Sequence, residues 1–293
     1  ELSKEIIDSQ RKGNSIWRNQ KLKPYMKETY FNSMDLMSMM YFDKKRIGLK
    51  KVAVSMKWPL IQDLPKLFDI LRYNDNDVLI TKQLAIEQRK EIQIRIDVGR
   101  LYGMNLMSAS RSSMADKLMS KFWEEETNQK FWDFKNDRTH YEEINLSECV
   151  SDKVRFKTKD LQKLLSDIKS TVWSGQKFAH RVKVGKTSYD ILLGGIHSVK
   201  EPIIYESDEN YDLEDADVAS YYPNLMLNEK AFPAHLSSRF LDLFQRLVTQ
   251  RLAAKKAGDK LTADALKIVV NATYGKLNFE YGWLYDTKAC YRV

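Results

Sequence analysis

The chain has 293 residues, 43% hydrophobic and 30% charged, enough apolar content for a sizeable core and too much for disorder throughout. Its 48 Lys and Arg against 40 Asp and Glu give a formal charge of +8, which favours a polyanionic partner. Two cysteines, Cys149 and Cys290, lie far apart and outside any CxxC pattern, which excludes a zinc ribbon or a disulfide framework and suits a reducing compartment. The polar opening Glu1-Leu2-Ser3-Lys4-Glu5 is no secretory signal, and no apolar run approaches the ~20 residues of a membrane span. A soluble cytoplasmic protein without a membrane partner is expected. A start at Glu1 and a close at Val293, within a stretch that reads as a strand, suggest a piece of a longer polypeptide.

Residues 1–97 mix helical patterns with a strand-like patch, Lys51-Val52-Ala53-Val54-Ser55-Met56, broken by Trp58-Pro59. A mixed α/β (α+β) fold class follows. Downstream, Tyr73 and Asp77 stand four apart, a spacing that on a helix often makes only an exposed hydrogen-bonded pair. Residues 98–200 read as a connector, with a helix from Ser113 to Trp123 and an aromatic stretch through Phe131, Trp132 and Phe134. Those aromatics, beside Lys130 and Lys135, could stack on bases or simply belong to a core. Gly194-Gly195 is either a plain β-turn or a place where backbone amides approach a phosphate.

From Glu201 to Asp217 there are eight acidic residues and no Lys or Arg, most of which should be solvated. Asp217-Val218-Ala219-Ser220-Tyr221-Tyr222-Pro223 reads as a strand with Ser220 and Tyr222 on one face and Pro223 ending it. After Pro233 the period becomes helical. Phe240, Phe244 and Leu247 form one stripe, with Leu241, Val248 and Leu252 beside it, and the helix stops near Gly258. A second helix is expected from Thr262, with Asp264 in its first turn, burying Leu266, Val269 and Val270. Arg251 and Lys255 are one turn apart on the first helix. Lys267, Asn271 and Tyr274 share a face of the second. Such cations suit a triphosphate, Arg as a planar fork and Lys as a mobile point charge. The plain alternative is two amphipathic helices with solvated basic faces.

Asp217 to Pro223 resembles motif A, and Lys267-Ile268-Val269-Val270-Asn271-Ala272-Thr273-Tyr274-Gly275 resembles motif B, of family B DNA polymerases, especially the compact phage enzymes. Tyr73 to Asp77 is similar to the family's YxxxD exonuclease motif. Gly194-Gly195 is similar to its YxGG element, with Leu192 where that element has tyrosine. Tyr221 stands where leucine is usual.

The resemblance implies the end of an RNase H-like 3′–5′ exonuclease domain (1–97), the connector (98–200), a partial palm (201–234), a short two-helix fingers subdomain (235–275) and a return to the palm (276–293). It implies a two-metal Mg²⁺ chemistry. Asp217 and the Val218 carbonyl would hold metal at the polymerase site, and Asp77 at the exonuclease site, where the Tyr73 phenol would orient water. Ser220, Tyr221, Tyr222, Arg251, Lys255, Lys267, Asn271 and Tyr274 would bind the dNTP, with Tyr222 excluding a ribose 2′-hydroxyl by shape. Gly194, Gly195 and Gly275 would meet primer-template DNA.

Tyr285-Asp286-Thr287 superficially suggests the family's third motif but lacks its second aspartate, and the spacing is wrong. That carboxylate would come from further polymerase segments or a complementary chain, so the 293 residues alone are expected to polymerise little. The 54 residues from Asp217 to Asn271 leave no room for the insertion of protein-primed relatives, which points to nucleic-acid priming. Two other functions remain open: a non-catalytic DNA-binding or assembly piece of a split polymerase, and a 3′–5′ exonuclease alone.

Overall fold

Apolar residues at helical spacing set most of the architecture seen in the structure, a computed structural model that describes residues 34–40, 47–63 and 70–293. In chain order the helices begin with α1 (Leu36–Met39), α2 (Leu49–Ser55), α3 (Ile70–Glu87), α4 (Arg89–Tyr102), α5 (Arg111–Thr127) and α6 (Phe131–Phe134). A short strand β1 (Ile144–Asn145), helix α7 (Lys159–Lys169) and strand β2 (Val172–Trp173) follow. Next comes an antiparallel meander of β3 (Ala179–Val184), β4 (Thr187–Leu192) and β5 (Gly195–Val199). The chain closes with α8 (Tyr221–Asn228), α9 (Arg239–Ala257), α10 (Lys260–Leu277) and α11 (Thr287–Arg292). Helix and sheet are thus mixed, and the described sheets are small and antiparallel.

The main core forms where α10 packs against α9 and α5, with α4, α8 and α11 around them. Met114 and Leu118 of α5, Phe240 and Phe244 of α9, and Val269 and Val270 of α10 are all fully buried. Trp283 and Phe134 close one side, their rings 4.9 Å apart. The helix expected over Ser113–Trp123 is α5, longer at both ends and capped by the Ser110 hydroxyl, which accepts from the Ser113 amide at 3.1 Å. The two helices around Gly258 form as expected, although α10 starts at Lys260 because Asp259 supplies its cap. A smaller cluster gathers Ile144, Leu146 and Cys149 with Tyr141, Ile168 and Trp173.

Three expected strands are not formed. Lys51–Ser55 lies in α2, where one face carries the fully buried Ala53, and the Trp58 amide closes the helix by donating to the Ala53 carbonyl at 2.9 Å. Burial of one helical face outweighed the alternation of Val52, Val54 and Met56. The Asp217-to-Tyr222 strand is absent because Ser220 adopts left-handed backbone angles (φ 53°, ψ 44°) and helix α8 starts at the next residue. Pro223 then sits in the first turn of α8, where no intrahelical partner is needed for the missing N–H. The last residues form α11 instead of a strand, because the Asp286 carboxylate accepts from the Ala289 amide at 2.8 Å and caps it.

Candidate nucleotide site

Two segments about fifty residues apart in sequence meet where α8, α9 and α10 pack together. At the start of α8, the left-handed Ser220 turns its hydroxyl to accept from the Arg251 guanidinium of α9 at 2.9 Å. One turn further along α9 is Lys255, and the facing surface of α10 brings Lys260 and Lys267. These four cations, with Ala263, Gly258 and the Asp264 carboxylate, line one cleft of about 280 Å³. Four positive groups against one carboxylate give it the charge to suit an anion of more than one charge.

Gly258 makes the cleft's turn possible. Its φ of +77° lets α9 stop and α10 begin within three residues.

Between α8 and α10, the rings of Tyr222 and Tyr274 stack, with centroids 4.4 Å apart and planes 7° from parallel. Tyr221 leans on Tyr222 at 5.5 Å. Burial raises the Tyr274 phenol well above its usual pKa, helped by the neighbouring Cys290 thiol. Tyr274 is therefore a fixed neutral wall that sets the plane of the more exposed Tyr222 ring.

The other sequence-predicted residues lie apart from this cleft. Asn271 and Gly275 are exposed on α10, and a Cβ on Gly275 would meet nothing within 4 Å. Tyr73 lies in the first turn of α3 and Asp77 one turn on, where Asp77 offers its carbonyl to the Thr81 hydroxyl. Gly194 and Gly195 lie at the β4–β5 turn, and Gly195 has a φ of +148° that favours glycine. Phe134 is core, Phe131 packs against it, and Trp132 is exposed under the Lys135 ammonium at 3.9 Å.

Asp217 and Val218 sit in an exposed segment, 201–219, that has no helix or strand. Among the described residues no group of three or more His, Cys, Asp or Glu side chains could hold a metal. One carboxylate and one carbonyl fall short of the oxygen set that two Mg²⁺ ions require, so the described residues do not fit a complete two-metal centre.

Tyr285-Asp286-Thr287 has a structural task. Asp286 is 1% exposed, accepts from the Ala289 and Ala234 amides at 2.8 and 2.9 Å, and takes a long hydrogen bond from Tyr141 at 3.4 Å. Nearby, His235 bridges the Thr139 hydroxyl and the Trp283 carbonyl at 2.7 and 2.9 Å.

Sequence reasoning missed Lys260 as a cleft cation and Asp286 as a clamp. The signals were present in Asp259-Lys260 at a helix start and in an Asp three residues before Ala289. Compared with protein-family models, curated proteins and solved structures, the chain has no match.

Proposed function

We propose that this chain carries the deoxynucleotide-binding part of a family B DNA-directed DNA polymerase, with the remainder of the catalytic centre supplied by further polymerase segments or a complementary chain. The observation that supports this reading is that Arg251, Lys255 and Lys267 line one cleft while Arg251 also donates to the Ser220 hydroxyl, two residues before the Tyr222 ring that stacks on Tyr274. Residues singled out from two separate motifs are thus tied to one another by a hydrogen bond and a ring stack across α8, α9 and α10.

In this function Arg251, Lys255 and Lys267 bind the triphosphate, each by charge-assisted hydrogen bonds. Lys260 adds a fourth cation at the mouth. The free face of the Tyr222 ring, held in plane by Tyr274, lies against the sugar and leaves no space for a 2′-hydroxyl. Asp217, on the segment leading into Ser220, contributes a metal-binding carboxylate when the rest of the centre is assembled. An associated 3′–5′ exonuclease activity would centre on Asp77 and Tyr73, with primer-template DNA as the shared substrate.

Titration of the full chain with a fluorescent deoxyadenosine triphosphate tests the proposal. Binding should weaken about tenfold or more in Lys267→Ala, since a hydrogen bond to a charged group contributes ~1.5–3 kcal/mol. Tyr222→Ala should bring the affinities for ATP and dATP together, whereas Tyr222→Phe should keep them apart. Absence of nucleotide binding by the unaltered chain, or equal binding by a Lys255→Ala/Lys267→Ala variant, would overturn it.

A further inference from the structure

Residues 153–200 contain eleven Lys or Arg against three Asp and no Glu. Their surplus of eight equals the formal charge of the whole chain, so the remaining residues are balanced and the basic character is concentrated here. The segment comprises α7 and the β3–β5 meander, and α7 packs beside β3. Every residue of the three strands is exposed or only half-buried, so their side chains face solvent instead of serving a core.

Of the three carboxylates, Asp190 is already occupied. Arg181 grips it through two hydrogen bonds of 2.6 and 2.9 Å, which hold its carboxyl below the usual range. At the β3–β4 turn, Lys183 and Lys186 are exposed, and no ion pair involves them among the described residues. Strand register places Lys183 opposite Ser188 and Ser188 opposite Val199, so Lys200 follows at the same end of the sheet. Lys159 and Lys163 add exposed charge on α7.

We infer that α7 and the β3–β5 meander form a surface for the phosphate backbone of a nucleic acid, with Lys183 and Lys186 at its centre. The surface stands on charge placement; only the choice of DNA as the nucleic acid rests on the proposed function. A cation array spread over a helix and a sheet end exceeds what a small anion would engage, but matches a polyelectrolyte with a charge every ~1.7 Å along the duplex. A lipid surface is disfavoured because Ile196, at 66% the most exposed apolar side chain of the sheet, pairs with Ile191 and so points to the face opposite Lys183.

Fluorescence anisotropy of a short labelled DNA duplex with the full chain, over a salt series, tests this surface. Lys183→Glu/Lys186→Glu should weaken binding roughly tenfold or more and reduce the log–log salt slope by about two. Lys82→Glu/Lys90→Glu removes the same net charge from exposed positions on α3 and α4 and should bind like the unaltered chain. Circular dichroism should show both variants folded. Equal loss in both variants, no loss in the first, or capture by anionic vesicles instead of DNA through the same lysines would overturn the inference. The Lys183→Glu/Lys186→Glu variant should still bind the fluorescent nucleotide, so this surface and the nucleotide cleft can fail separately.

Discussion

Asp286 is a buried carboxylate whose hydrogen bonds tie three parts of the chain together: the Ala234 amide before α9, the Ala289 amide in α11, and the Tyr141 hydroxyl. Its removal leaves the buried Ala289 amide without an acceptor, at ~1–3 kcal/mol, and also frees the partly buried Ala234 amide. Asp286→Ala should therefore lose roughly 2–4 kcal/mol in urea unfolding, while Asp286→Asn, which keeps an acceptor oxygen, should lose less. At the cleft, Arg251 has two roles, since it donates to the Ser220 hydroxyl and lines the cavity. Lys255 and Lys267 are the cleaner probes of ligand charge because both are exposed. Ser220 itself pays for its left-handed turn with some backbone strain, about 1–3 kcal/mol for such a residue. The Arg251 hydrogen bond is what holds it there.

Among elements, α10 carries the greatest structural load, with Ala265, Leu266, Val269, Val270, Thr273 and Leu277 buried along one side and Lys267 and Asn271 exposed on the other. The buried side and the Lys267 side that lines the cleft share one helix, so cavities in its core should loosen the cleft as well as destabilise the fold. Val269→Ala should cost about 1–3 kcal/mol in urea unfolding, within the range for deleting core methyl groups. Gly258→Val, which forces a β-branched side chain into positive φ, should destabilise by ~1–2 kcal/mol and also weaken nucleotide binding. Val269→Ala with unchanged stability would show that α10 is not anchored by this core position, and Gly258→Val with unchanged nucleotide affinity would show that the α9–α10 hairpin does not position the cations.

At the scale of the molecule, α11 joins the main core to the smaller cluster, and four titratable groups surround that junction, two thiols buried and two phenols half-buried. Burial raises the Cys149 and Cys290 thiols from 9.0 to about 11 and the Tyr141 and Tyr291 phenols from 10.0 to about 12. In each case the folded state holds its proton more tightly than the unfolded chain. Their stabilising contribution is complete below the unfolded pKa values and is lost as pH rises through the folded ones. The melting temperature should fall between about pH 9 and 11 as the thiols ionise, and Cys149→Ala/Cys290→Ala should make that fall shallower. No described helix is long and apolar enough to cross a membrane.

Local chemistry sufficed for the α9–α10 hairpin, because an apolar stripe at helical spacing and a glycine at the turn specify it without reference to anything distant. The same is true of α5 and of the cation pattern, since charge type and helical period are written in the residues themselves. Tertiary structure decided the rest. Val52 and Val54 suit a strand, yet burial of Ala53 and the contact from Trp58 place them in α2. Asp217 to Tyr222 alternates like a strand, but alternation needs a neighbouring strand to fill its hydrogen bonds, whereas Arg251, thirty-one residues from Ser220, stabilises a turn instead. The sequence by itself determined which residues could meet an anion. Only the packing of α9 against α10 decided which of them line one cleft, because a cleft is a relation between surfaces that are remote along the chain.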